Sequence, residues 1–174
     1  MRLSTDGYEF DFANAIALYK FDEPNKASDH YHGLSHCMKA VDVVAEFPNF
    51  QVWIEIKDYP QLQLQDIVNG VKGKSGKSLK LEILDALKQK FRDTVLYREC
   101  EGASKQIVYI CLVNFKAAEC ASFCKELKLI IPSGKKGPRW TSEIVSDNHC
   151  FVVDANAWNR NFQTKIGTCT KQLP

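Results

Sequence analysis

No stretch of the 174 residues approaches the roughly 18 consecutive apolar residues that a membrane helix needs. No basic segment followed by an apolar run opens the chain, so no secretory leader and a cytoplasmic location are expected. Net charge is only +2, from 23 Lys and Arg against 21 Asp and Glu. A field that weak does not draw a polyanion, so any nucleic-acid contact has to come from local clusters. Among seven cysteines there is no Cys-x-x-Cys pair. An odd number with no export signal points to reduced, mostly buried thiols. Cys120 and Cys124 lie four apart on an expected helix, but no second pair follows to complete a metal site, so core packing is expected of them. Internal repeats and low-complexity tracts are missing too. The length suits a single domain spanning 1–174, with its core at about 8–154.

A phosphate-binding loop is also lacking, although Gly70–Ser78 imitates one. That motif needs a glycine, four residues, then Gly-Lys-Ser/Thr. Counting back from Gly76-Lys77-Ser78 places Val71 at the first glycine. The segment reads instead as a basic loop carrying Lys72, Lys74, Lys77 and Lys80, either solvated or touching a nucleic-acid backbone.

The remaining elements follow from periodicity. Residues 8–21 are ambiguous, and a helix from about Asp11 to Phe21 is the reading adopted, because Phe12, Ile16 and Tyr19 fall on one face. Pro24 and the polar residues after it break that helix. His30, His32 and His36 follow in a loop, as ordinary loop histidines or as a substrate-phosphate contact. Residues 61–69 suit a short helical turn. Leu79–Arg98 is the clearest helix, with Leu79, Ile83, Leu84, Leu87, Phe91 and Val95 on one face and Ser78 as N-cap. Gln106–Phe115 suits a strand buried on both faces. A helix is expected at Lys116–Lys128, a short strand at Leu129–Ile131, a strand at Cys150–Asp154 and a short helix at Asn156–Phe162, with a loose tail after Thr164. Lys135, Lys136 and Arg139 form a second basic loop, with Trp140 beside it to stack on a base or to pack beneath the loop.

The most informative stretch is Val41–Lys57. Strand-like Val41–Phe47 runs into a Pro48-Asn49 turn, and apolar Phe50–Lys57 returns, which predicts a β-hairpin. Alternation puts Gln51, Trp53, Glu55 and Lys57 on one face, and Phe50, Val52, Ile54 and Ile56 on the other. Pairing Phe47 with Phe50 sets Glu46 opposite Gln51, Val44 opposite Trp53 and Asp42 opposite Glu55. Opposed Cβ atoms lie about 4.5–5.5 Å apart, so two carboxylates there repel unless a positive group joins them. Lys57 is one candidate. A hard divalent cation is the other, since Mg²⁺ is typically held by one or two carboxylates plus waters.

Asp42, twelve intervening residues, then Glu55-Ile56-Lys57 resembles the PD-(D/E)XK nuclease superfamily over roughly residues 8 to 115. Val41 stands where that family usually has proline. A second acid-x-Lys triplet, Glu126-Leu127-Lys128, sits on an expected helix with no partner aspartate. The resemblance implies an α/β, restriction-endonuclease-like fold: a mixed β-sheet flanked by helices. It implies a metal-dependent endonuclease acting on nucleic acid, with DNA foremost. Asp42, Glu55 and the Ile56 carbonyl would hold Mg²⁺ (or Mn²⁺), and Lys57 would orient or deprotonate the attacking water. Lys72, Lys74 and Lys77 on one side, and Lys135, Lys136 and Arg139 on the other, would grip phosphates. Many members add a carboxylate from the first helix, for which Glu9, Asp22 and Glu23 all stand open. A homodimer would suit cleavage of both strands of a duplex. Two other readings remain: an inactive nucleic-acid-binding or assembly module on the same fold, and a protein-interaction domain in which Asp42, Glu55 and Lys57 form a structural charge cluster.

Overall fold

The computed structural model describes residues 1–139 and 142–172. A five-stranded sheet organises it, in the order β3 (Ala17–Lys20), β4 (Val43–Glu46), β5 (Phe50–Lys57), β6 (Gln106–Val113) and β7 (Val145–Val153). The sheet is mixed. β4 is antiparallel to β3 and β5, whereas β5, β6 and β7 run parallel. Parallel neighbours need a crossover. Helices α1 (Gln61–Val68) and α2 (Leu79–Cys100) link β5 to β6, and α3 (Ala117–Ile130) links β6 to β7. These three helices pack on one face. The other face carries α4 (Ala155–Phe162) and a second antiparallel sheet, β1 (Arg2–Thr5), β2 (Tyr8–Asp11) and β8 (Thr168–Lys171), in the order β1-β2-β8. The architecture is therefore α/β, a mixed sheet flanked by helices.

Alternation along the central strands feeds two cores. Trp53, Tyr109, Cys111 and Val113 point toward α2 and α3, while Val52, Ile54, Ile110 and Leu112 point toward β2 and α4. β6 is apolar almost throughout because helices cover one side and a second sheet the other. No described helix is long and apolar enough to cross a membrane.

The hairpin register agrees with the count from the turn as far as Val43: Glu46 lies opposite Gln51, Val44 opposite Trp53 and Val43 opposite Ile54, but the ladder ends there and the expected Asp42–Glu55 pair is not part of it. The Phe47 N–H donates to the Phe50 carbonyl at 2.9 Å, and the two rings stack with centroids 4.5 Å apart. A buried polar network closes this end. Arg98, from the last turns of α2, donates to Glu46 (2.6 Å), Glu101 (2.8 Å), the Tyr19 hydroxyl (2.9 Å) and Gln51 (3.3 Å). The Trp53 indole also donates to Gln51.

Three expectations are overturned. The helix at 11–21 does not form: β2 ends at Asp11, a turn closes with Ala15 N–H on the Phe12 carbonyl, and Ala17–Lys20 pairs with β4. The helical stripe of Phe12, Ile16 and Tyr19 competed with the alternation of Tyr8, Phe10 and Phe12. The open edge of β4 and a waiting aromatic pocket decided for strand; Phe10 and Phe12 are fully buried against Trp158. The short strand at Leu129–Ile131 is the end of α3 instead, leaving only an isolated parallel bridge from Ser133 to Val145. The tail after Thr164 is not loose: β8 pairs with β2, and Asn159 exchanges two hydrogen bonds with the Cys169 backbone. The stacking role expected of Trp140 lies outside the described residues.

Candidate active site

Asp42 owes its position to its surroundings rather than to its own strand. Hydrogen-bonded pairs alternate along an antiparallel ladder. Counting from Phe47–Phe50, the pair after Val43–Ile54 would be Val41–Ile56. The ladder stops first, and the Ile56 N–H donates instead to Asp42 Oδ2 at 2.6 Å. Helix α2 pulls the preceding backbone aside. Asp93 accepts the Lys39 N–H at 3.0 Å, and the Thr94 hydroxyl accepts the Val41 N–H at 3.0 Å. The Asp42 carbonyl accepts the Phe21 N–H at 2.8 Å. Each such bond contributes about 1 kcal/mol net, and more if its partner were removed and a buried group left unpaired.

Glu55 lies on the α2 face of β5 and is fully buried. Lys90 reaches it from α2. Its ammonium stands 2.8 Å from Asp42 Oδ1 and 2.9 Å from Glu55 Oε2, joining the two carboxylates. Lys57 closes the other side, with Nζ 2.6 Å from Glu55 Oε1 and 3.3 Å from the Ile56 carbonyl. Asp42, Glu55, Lys57 and the Ile56 carbonyl thus meet in one place. Lys90 was absent from the sequence reading, although a signal existed. It stands seven residues after Ile83 and three after Leu87, on the stripe of α2 that faces the core. A lysine at such a position needs a buried partner.

The electrostatics follow from this crowding. Burial pushes the Glu55 carboxyl up to about 7; the Asp42 charge pushes the same way, while Lys90 and Lys57 oppose it. Burial works to lower the Lys90 pKa, but Glu55 and Asp42 outweigh it and the net direction is up. The ammonium therefore keeps its proton, and Glu55 is the labile member of the pair. Each Glu55 oxygen thus has one ammonium beside it, Lys57 at Oε1 and Lys90 at Oε2.

Of the three open carboxylates, Asp22 comes nearest: Oδ2 is 3.9 Å from Lys90 Nζ, and Oδ1 is 3.8 Å from Nε2 of buried His32. Glu9 sits on β2 opposite Thr170, in the other layer, and Glu23 accepts the Asn25 N–H. His32 Nδ1 accepts the Leu34 N–H, which leaves Nε2 as the position directed at Asp22. Beyond β5, Asn114 clamps the Tyr59 backbone through both its N–H and its carbonyl. Among the described residues, no group of three or more His, Cys, Asp or Glu side chains could by itself hold a metal ion.

The basic loops stand apart from this cluster and from each other. The segment after Gly70 folds back on itself through a Lys72–Ser78 bridge. Glu82 accepts Ser75 N–H and Oγ–H at 2.6 and 2.5 Å, so a carboxylate already occupies the donors that a phosphate loop would offer. Lys77 pairs with Asp85 at 2.7 Å and Lys80 with Glu126. Asp85, which holds the Lys77 ammonium, stands five residues before Lys90 on α2, about 8 Å along the axis and well around the helix from it. Lys136 shares a cleft of about 500 Å³ with Gln51 and Ser146, at the end of β5 remote from Glu55. Lys135 donates to the Leu129 carbonyl, and Arg139 is exposed. The seven cysteines form no disulfide; Cys120 and Cys124 contact different carbonyls, of Phe115 and Cys150.

No protein-family model, no curated protein and no solved structure matches the chain.

Proposed function

We propose that the chain is a Mg²⁺-dependent nuclease of the PD-(D/E)XK kind, hydrolysing phosphodiester bonds of nucleic acid, with DNA the first substrate to test. The observation that carries this reading is the convergence of Asp42 and Glu55 on one cationic group, with Lys57 alongside. A restriction-endonuclease-like fold is the finer reading of the architecture. An acid-bearing antiparallel hairpin followed by a helical crossover to a buried parallel strand supports it.

The donor set fits a hard cation. Two carboxylates and a backbone carbonyl suit Mg²⁺ or Mn²⁺ with waters completing the shell. Glu55 is fully buried, and a carboxylate there needs a cation beside it. Asp42, Glu55 and the Ile56 carbonyl would hold the ion, which polarises the scissile phosphate and lowers the pKa of a bound water. Asp42 keeps its orientation through the Ile56 N–H, so it presents one oxygen in a set direction. Lys57 is partly exposed, with its ammonium between Glu55 and solvent. From there it orients the attacking water and offsets charge building on the phosphorane-like oxygens. Lys72, Lys74 and Lys77 would meet phosphates further along the strand.

One observation favours a second reading. Lys57 and Lys90 together neutralise Asp42 and Glu55, as an inactive binding module or a structural charge cluster requires. The readings part on incubation of the protein and its Asp42→Asn variant with plasmid, single-stranded DNA and RNA, with Mg²⁺ and with chelator. A nuclease cleaves at least one substrate with Mg²⁺ and none with chelator or after Asp42→Asn. No cleavage under any condition, by a folded protein, sinks the nuclease reading.

A further inference from the structure

Lys90 is charged, largely buried with 14% of its side chain exposed, and equidistant to within 0.1 Å from an oxygen of each carboxylate: 2.8 Å from Asp42 and 2.9 Å from Glu55. Its place between them is the place where a cation bridging the same two oxygens would sit. Two carboxylates, Lys57 and Lys90 sum to no net charge. A divalent ion added to that set would face two ammonium groups at short range, in a site with little water to screen them. Either the ion is repelled or Lys90 leaves. A lysine can leave, because its charge is carried on a flexible four-carbon stem. Asp22, 3.9 Å from the same ammonium and partly exposed, offers a landing point toward solvent.

We propose that Lys90 is a built-in competitor for the cation site: a divalent ion binds Asp42 and Glu55 only by displacing the Lys90 ammonium toward Asp22. The inference rests on the proposed cation site and adds a resident counter-ion to it. Lys90 in this account is a positioning residue for the metal, acting through Asp42 and Glu55.

The test is direct binding of Mn²⁺ to the purified protein, followed by calorimetry and by the electron paramagnetic resonance signal of free Mn²⁺, with no nucleic acid present. The wild type is compared with Lys90→Met, which keeps the stem and deletes the charge. The expected result is about tenfold or more tighter Mn²⁺ binding by Lys90→Met, with binding abolished by adding Asp42→Asn. Equal or weaker binding by folded Lys90→Met overturns the inference and leaves the cation site standing. Absence of Mn²⁺ binding to both proteins removes the cation site, and the inference with it. Should Lys90→Met fail to fold, the wild type still decides. With ¹³C-lysine labelling, the Lys90 signal (assigned by its loss in Lys90→Arg) must shift on titration with diamagnetic Mg²⁺. Saturable Mg²⁺ binding without that shift overturns the proposal.

Discussion

Asp42 accepts a 2.6 Å hydrogen bond from the backbone N–H of Ile56, the residue after Glu55. A side chain thereby takes the ladder position that the Val41 carbonyl would fill. The bond separates the structural role of Asp42 from its charge. An asparagine at 42 still offers an oxygen to the Ile56 N–H.

Asp42→Asn should therefore fold like the wild type while losing Mg²⁺-dependent cleavage by about a hundredfold or more. Lys57→Ala should lose cleavage on a similar scale without weakening Mn²⁺ binding, since Lys57 holds no metal and its charge opposes the ion. Circular dichroism with a plasmid-nicking assay checks the first, and the Mn²⁺ titration the second. Unchanged cleavage by Asp42→Asn would remove it from the site.

Glu55 sets a pH dependence. Its carboxyl is raised to about 7 in the folded chain, against an ordinary value near 4.5. The folded state thus holds the proton more tightly, and the stability this contributes is complete below about 4.5 and lost as pH rises through about 7. That difference corresponds to on the order of 3 kcal/mol. Urea denaturation from pH 4 to 8 should show the wild type losing stability relative to Glu55→Gln across this window. Parallel profiles would mean that Lys57 and Lys90 hold Glu55 ionised throughout.

At the other end of β5, Arg98→Met should cost about 2 kcal/mol of stability, because it removes the bonds to Glu46, Tyr19 and Gln51 and leaves Glu46 only Lys105 at 3.6 Å. Burial acts to raise the Glu46 carboxyl, but Arg98 overrides it and the net direction is down. Adding Glu46→Gln should recover part of the loss. Cleavage per folded molecule should not change, since this network lies away from Glu55. A denaturant midpoint within error of the wild type would show the network to be idle.

Gly167 should tolerate no side chain. Its φ is +135°, and a Cβ there would overlap the Asp11 carbonyl oxygen and Phe12. Gly167→Ala should destabilise by about 2 kcal/mol or more and loosen the packing of β8 on β2. Thermal melting measures the first effect, and hydrogen exchange at Thr170, opposite Glu9, the second. Wild-type melting would contradict the close approach.

Much of the hairpin could be read from residues alone. The Pro48-Asn49 turn and the period-two apolar set Val52, Ile54, Ile56 leave one register, because a slip by one residue would turn every core side chain outward. Long apolar and amphipathic runs, such as Gln106–Val113 and Leu79–Cys100, carry enough repeats of their period to identify themselves. Residues 8–21 do not. The segment is short, fits both periods, and is settled by hydrogen bonds to β4 and β8 that come from distant sequence. The β8 tail is the same case: four residues of little intrinsic preference become a strand because β2 offers an edge.

By itself, the sequence determined the acids and their spacing. Glu55 and Lys57 share a face by alternation, a local property of a strand, whereas Asp42 lies just before β4 and is placed by its hydrogen bond to Ile56. Only the tertiary structure decided what stands between the carboxylates. Lys90 arrives from a helix 35 residues beyond Glu55, and its place depends on how α2 packs against the sheet. The Asp93 and Thr94 bonds that fix Asp42 arise in the same way. Charges are set by neighbours in space, and for a buried pair those neighbours come from wherever the core brings the chain together.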